Sequence, residues 1–248
     1  MRLHHRVLLV DFFLLGIRPG QRVLDIGCGE GRHVIGTCHN PCLGVGLDIG
    51  LDLLREARRR LHDAAQAMPG WIKGQGEFVL ADACHLPFGD CTFDHVIACE
   101  VVEHVEDDDA LLREAVRVLK PGGVLVVSTP RFLPEAICWA INRGLMTAPG
   151  SHVRIYPPGA IDRKLRRLGL EPFAHVHAHG YWSFYWMAFA VLDRFLGGRL
   201  AERAMGPVRR LVDSYSLRPG PVTARLEDDI NRYFSKTCVD YARKPLVE

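Results

Sequence analysis

Residues 23–31, VLDIGCGEG, constrain this chain more than any other stretch. Val23 to Ile26 is a short apolar run holding one carboxylate, Asp25, the pattern of a buried strand that runs out into a loop. Gly27, Gly29 and Gly31 follow in G-x-G-x-G spacing. Lacking a Cβ, a glycine takes positive φ without strain and lets a ligand approach the backbone closely. Arg32 to Thr37 then fits the first turns of a helix. Strand, glycine loop and helix in that order form a ligand cradle at the carboxyl edge of a parallel sheet. A dinucleotide fingerprint reads G-x-G-x-x-G and sets a pyrophosphate on the helix N-terminus. Here the third glycine comes one residue early, and Asp25 at the loop entrance repels pyrophosphate but suits a cation. No G-x-x-x-x-G-K-[ST] follows, which excludes a P-loop. A ligand with an ammonium group and no phosphate fits better.

Three further stretches extend the pattern in order: GVGLDIG at 44–50, FVLADACHLPFGDCTFDHVIACEVVEHV at 78–105 and VLKPGGVLVVSTP at 118–130. With them the chain resembles class I S-adenosylmethionine-dependent methyltransferases, of the type 11 and ubiquinone-pathway O-methyltransferase kind. The resemblance covers residues 20–130, about half the chain. S-adenosylmethionine carries the ammonium group and no phosphate. The resemblance implies an α/β fold over 1–248, a Rossmann-like seven-stranded, mostly parallel sheet with an antiparallel last strand. Residues 20–130 would be the cofactor half, and 131–248 the acceptor half with a helical insertion at about 180–235.

The same resemblance implies the cofactor contacts. Asp25, Gly27, Cys28, Gly29 and Gly31 form the first loop, and Cys99 and Glu100 close the site after the fourth strand. Asp48 lies 23 residues after Asp25, close to the spacing at which an acidic residue meets ribose hydroxyls, and a carboxylate accepts from both hydroxyls of a diol. Ile49 adjoins it, and Asp82 with Ala83 would hold the adenine edge.

Composition sets ordinary bounds. A chain of 248 residues with 48% hydrophobic content supports a sizeable core, and a net charge of +2 gives no global attraction to nucleic acid. Eight cysteines form no C-x-x-C pair, which reads as reduced, buried thiols of a cytoplasmic enzyme. Cys38-His39-Asn40-Pro41-Cys42 has no second pair to complete a zinc site. Val7 to Ile17 resembles a short signal peptide, but Asp11 interrupts it and no cleavage site follows, so a helix over 3–16 beside the cofactor site is expected.

Periodicity and punctuation predict strands at 21–26, 43–47, 77–81, 93–99, 124–128, 172–178 and 237–242. Helices are expected at 51–61, 107–119, 133–146 and 157–168, with a turn at Pro121-Gly122-Gly123. About sixty residues separate the last two strands, where a short hairpin is usual in the family, so that insertion should carry specificity.

Methyl transfer is a displacement at an already activated sulfonium methyl, so alignment matters most, with a base where the nucleophile carries a proton. The candidate constellation is Glu100, Glu103 and His104, in CEVVEHVEDDD. On a helical turn, positions i, i+3 and i+4 share one face, and two carboxylates with an imidazole suit a divalent cation. This E-x-x-E-H pattern is similar to the metal sites of small-RNA 2′-O-methyltransferases and ubiquinone-pathway O-methyltransferases. In the RNA enzymes a downstream histidine joins the set, and His152 is its counterpart here. The expected metal set is therefore Glu100, Glu103, His104 and His152, with His104 as the catalytic residue whether or not metal is bound. Resemblance to relatives that carry E-H with no metal implies instead that His104 is a base or substrate contact and that Glu100 lies beside the cofactor, with Glu103 a solvated helix residue.

The insertion adds YWSFYWMAFAVLDRF at 181–195, which holds a third of the chain's aromatics and is too short to span a bilayer. It reads as a lid over an apolar acceptor, as an interfacial helix, or as a core helix. The expected activity is S-adenosylmethionine-dependent O-methylation of a small apolar acceptor, such as a lipid, quinol or glycosylated natural product, with peripheral membrane contact and no DNA partner. The alternative is metal-assisted RNA 2′-O-methylation, for which the sequence offers no accessory RNA-binding module and no basic excess.

Overall fold

The computed structural model describes residues 8–146, 151–217 and 220–246. The first half alternates strand and helix. In order these are α1 (Phe12–Leu15), β1 (Arg22–Ile26), α2 (Arg32–Thr37), β2 (Leu43–Asp48), α3 (Leu51–Ala67), β3 (Gln75–Leu80), β4 (Phe93–Cys99), α4 (Asp108–Val118) and β5 (Leu119–Pro130). The second half holds α5 (Phe132–Ile141), α6 (Ala160–Arg167), β6 (Glu171–Ala178), three helices α7 (Gly180–Leu196), α8 (Gly198–Leu217) and α9 (Pro221–Phe234), and β7 (Thr237–Arg243). The seven strands form one sheet in the order β3-β2-β1-β4-β5-β7-β6. β1 to β5 pair in parallel, and β7 runs antiparallel to both β5 and β6. The expected sheet and insertion are therefore present.

The central strands are apolar on both faces because both are covered, as a parallel sheet requires. On one face Leu24, Val96, Leu125 and Val127 pack with Leu111, Leu112 and Ala115 of α4 and with Ile161 and Leu165 of α6. On the other, Val23, Ile97, Val126 and Tyr241 pack with Leu9, Val10 and Leu15 from the N-terminal segment. A third cluster seats α2 and α3 through Val34, Leu54, Ala57 and Phe78.

Several expected boundaries move for local reasons. The N-terminal helix expected over 3–16 is only four residues long within the described part, and residues 3–7 lie outside it. Asp11 starts it by accepting from the Phe13 amide, and Gly16 at φ 62° ends it. The expected turn at 121–123 is a bulge inside β5: the pairing jumps from Phe93–Leu119 to His95–Val124, with Gly122 at φ 78°. α5 stops at Ile141 and gives way to a 3₁₀ turn at Arg143–Met146. α6 begins at Ala160, after Pro157, Pro158 and a left-handed Gly159. α3 runs six residues past its expected end, because Ala64 continues its buried stripe.

Candidate active site

The four parallel strands β3, β2, β1 and β4 deliver their carboxyl ends side by side, and every expected cofactor residue sits on that edge. After β1, Gly27, Gly29 and Gly31 take φ of 66°, 52° and 79°, where a side chain is strained. A Cβ on Gly27 would meet Val101 at 2.7 Å, and one on Gly31 would meet Ala57 at 2.9 Å. The loop is thus pressed against the turn after β4 and against α3. A Cβ on Gly29 would meet nothing within 4 Å, which leaves open space over the middle of the loop.

Asp48 ends β2, 9% exposed, and accepts from the Gly29 amide at 2.9 Å and the Gly50 amide at 2.8 Å. It does not cap α3, whose N-cap is Gly50. Ile49 beside it is 80% exposed, an apolar side chain bare at the cradle's edge. Asp82, just past β3, accepts from the Cys84 amide, and this bond with the His85 contact holds its carboxyl below the usual range. Ala83 follows in the same turn. Cys28 and Cys99 are buried, and burial first, then nearby carboxylates, push both thiols up. All eight cysteines are free.

Asp25 is 2% exposed, with one oxygen 3.7 Å from His33 Nδ1 and the other without a partner. An orphaned buried carboxylate oxygen is costly unless a ligand meets it. That oxygen and the space over Gly29 fit S-adenosylmethionine, whose ammonium and sulfonium are both cationic. Asp25, Gly29, Asp48 and Asp82 would hold it along the strand ends.

The turn after β4 carries the residues expected to do the chemistry, one of them placed differently from expectation. Val102–His104 is a 3₁₀ turn, and Glu100 stands outside it at φ 54°. The shared face of an α-helical turn therefore does not form, and Glu100 separates from the other three. Its amide donates to Ser128, and its carboxylate accepts from Thr237 Oγ1 at 3.0 Å and lies 3.6 Å from Lys236 Nζ. Burial alone would raise its pKa, but the charges of Lys236, Arg32 and His179 outweigh it and hold the carboxyl at about 2.

Glu103, His104 and His152 do converge, with a ligand atom from each within 4.8 Å of the others. Residues 151–153 bring this about. The Val153 amide donates to the Glu103 carbonyl at 2.9 Å, and His104 Nδ1 bonds the Ser151 carbonyl at 3.2 Å. The two imidazoles meet edge to face at 4.8 Å. His152 Nδ1 lies 2.7 Å from Glu135 Oε1, a carboxylate–imidazole pair of the kind that orients a ligating histidine. Glu103 is fully buried, both carboxylate oxygens lack a partner, and burial pushes its pKa well up. Partial desolvation, then His152, lowers that of His104, so the imidazole is neutral near pH 7. Two imidazoles and an unpartnered carboxylate are a donor set that fits a divalent cation.

His179 and Lys236 belong to this site and were not expected from sequence. His179, at φ 67° immediately before α7, has a buried Nε2 without a partner. Burial lowers its pKa to about 4, against the pull of Glu100. The lone signals in the sequence were their positions, His179 directly before the aromatic helix and Lys236 directly before β7.

Comparison with known proteins bears on this edge. A methyltransferase-domain family profile matches residues 24–127. The 27-O-demethylrifamycin SV methyltransferase of Amycolatopsis mediterranei is 30% identical over 77% of this chain and 68% of its own length. The chain belongs to the S-adenosylmethionine-dependent methyltransferases. The methyltransferase GfsG of Streptomyces halstedii is 35% identical over 58% of the chain and 52% of its own length. The ubiquinone/menaquinone biosynthesis C-methyltransferase UbiE of Vibrio vulnificus is 38% identical over 48% and 46%. The chain thus spans about half the length of these two relatives. Among solved structures, an S-adenosylmethionine-dependent methyltransferase from Methanosarcina mazei superposes with a TM-score of 0.62 at 16% identity, over 97% of this chain and 100% of that one. The [4+2]-cyclase SpnF superposes at 0.58 and 22% identity, over 94% and 78%. The fold is thus shared with an enzyme named for another reaction, and the site has to carry the functional reading.

Proposed function

We propose that the chain transfers a methyl group from S-adenosylmethionine to an oxygen of a small apolar acceptor, a lipid, quinol or glycosylated natural product. The observation that carries this is the Glu103–His104–His152 cluster next to the cofactor edge. The relative named for an O-demethylated substrate supports oxygen, and the UbiE relative is named for carbon.

Glu103, His104 and His152 would hold a divalent cation, and two imidazoles favour Mn²⁺, Fe²⁺ or Zn²⁺ over Mg²⁺. When bound, such an ion lowers the pKa of an acceptor hydroxyl. The chain's own residues do the rest. Asp25, Gly29 and Asp48 hold the cofactor, and Glu100 with Lys236 fixes the turn beside it. With no cation bound, His104, neutral near pH 7 and with Nδ1 turned to the Ser151 carbonyl, leaves Nε2 to take the hydroxyl proton, a role worth about 10²–10⁴-fold in rate; as a ligand that nitrogen is committed to the ion. Glu135 sets the orientation of His152.

The insertion supports an apolar acceptor. α7 buries Tyr185 against its neighbours but leaves Phe184 and Phe195 exposed, and α8 and α9 add Leu200, Leu211, Val222 and Tyr233. An apolar patch of this kind marks an interaction surface. Arg199, Arg203 and Arg210 lie along α8, suited to peripheral contact with anionic headgroups. No helix among the described residues is long and apolar enough to cross a membrane.

The test is methyl transfer to a quinol or natural-product acceptor, before and after chelation, in wild type, His104→Ala and His152→Ala. Loss in all three, with recovery of wild type on adding Mn²⁺, is expected. Full activity in chelator with loss only in His104→Ala would leave His104 as a metal-free base. Full activity in both variants would remove the cluster from the reaction.

A further inference from the structure

A cavity of about 580 Å³ opens on the α6 side of the sheet, within the roughly 300–1,000 Å³ of small-molecule pockets. None of the cofactor or cluster residues described above lines it. Its floor is the pairing of β6 with β7, where His175 faces Asp240 and His177 faces Cys238. Alternation along β6 puts both histidines on one face. α6 has eight residues; its buried side chains, Ile161 and Leu165, face the central core, and Asp162 in its first turn lies 3.8 Å from His175.

The charges in the lining are unequal. Each carboxylate already has a partner: Asp162 lies 2.8 Å from Arg166, and Asp240 lies 2.5 Å from the His175 imidazole. Arg131 and Arg163 have no carboxylate among the described residues. Arg163 reaches one carbonyl, that of Pro158, at 3.4 Å. Arg131 reaches the Asn231 and Arg232 carbonyls and the Ser235 hydroxyl at 3.3–3.4 Å. α6 starts in the same lining, and no side chain caps its N-terminus. Guanidinium groups and a helix N-terminus favour the same kind of ligand, an anion with forked oxygens. Phe132, Tyr156, Pro157 and Ile161 supply apolar wall.

We propose that this cavity is a second ligand site, separate from methyl transfer, for a small organic anion. Arg131 and Arg163 would hold its carboxylate or phosphate monoester, and its apolar body would lie against Phe132 and Tyr156. Whether the headgroup is carboxylate or phosphate is read from the probes.

The experiment is calorimetric titration of the whole chain with benzoate, phenyl phosphate and inorganic phosphate, with and without saturating S-adenosylmethionine. One aromatic anion should bind at one site per chain, more tightly than inorganic phosphate, with equal affinity in the presence and absence of the cofactor. Arg163→Ala should weaken it by about tenfold or more, the loss of one charge-assisted contact, without changing the melting temperature or cofactor affinity. Arg163 is exposed and makes a single long bond, so this variant keeps its fold. Arg163→Lys should recover part of the affinity. No saturable binding of either aromatic anion at millimolar concentration, binding indifferent to Arg163→Ala, or displacement by S-adenosylmethionine would each overturn the proposal.

Discussion

Replacing Asp48 by alanine should both loosen the protein and weaken its hold on S-adenosylmethionine. The side chain accepts from the Gly29 amide at 2.9 Å and the Gly50 amide at 2.8 Å, nearly out of solvent. A hydrogen bond to a charged group contributes about 1.5–3 kcal/mol, and water at the loop edge replaces part of two such bonds. A net loss of about 2–3 kcal/mol follows, and at roughly 2–4 °C per kcal/mol the melting temperature falls by about 4–12 °C. Cofactor affinity should fall by about 1–3 kcal/mol, or roughly 5- to 150-fold, because the ribose diol loses its acceptor. Asp48→Asn separates the two effects. It keeps one oxygen for an amide but presents a donor where the second amide or a ribose hydroxyl donates. Its melting temperature should lie between wild type and the alanine variant, with cofactor affinity near that of alanine. Calorimetry and thermal melting read both quantities. Unchanged affinity in both variants would remove Asp48 from the ribose and leave it a loop brace.

Two further outcomes follow from the site and its surroundings. Glu103 has a raised folded pKa, so its cost to stability is absent below the unfolded carboxyl value and grows as pH rises through the folded value. In chelated protein, Glu103→Gln should match wild type near pH 4 and exceed it at pH 8 by about 1–3 kcal/mol, the cost of an unsatisfied buried group; a deficit at pH 8 would refute this. Changing Phe195 and Leu200, exposed at either side of the Gly197-Gly198 corner, to serine should reduce flotation with anionic liposomes without lowering the melting temperature; wild type that ignores liposomes would make the surface one for another partner.

The cofactor half was legible because its signals are local. α2 and β4 fall on their expected limits, each bounded by glycine or by turn residues next to an apolar run. Boundaries failed where one residue's conformation decided the outcome. Gly122 keeps β5 continuous through a bulge that reads as a turn, and Gly159 delays α6. Glu100 was misplaced for the same reason: spacing assumes an α-helical turn, and its left-handed backbone sends the carboxylate to Thr237 and Lys236. His152 joined Glu103 and His104 as expected because a backbone strap ties residues 151–153 to the turn. His179 and Lys236 arrive through β6 and β7, far along the chain, where no spacing rule reaches. The insertion was visible as an aromatic excess, but its division into three helices rests on packing among α5, α7, α8 and α9.

The most direct test of the central claim is where the methyl group goes. The protein would be incubated with S-adenosylmethionine carrying a ¹³C-labelled methyl group and an extract divided into apolar small molecules, polar small molecules and RNA. The account predicts S-adenosylhomocysteine formation, with label in an apolar small molecule at the carbon shift of a methyl ether, abolished by His104→Ala. Label in RNA, label on carbon, or no affinity for S-adenosylmethionine by calorimetry would contradict it.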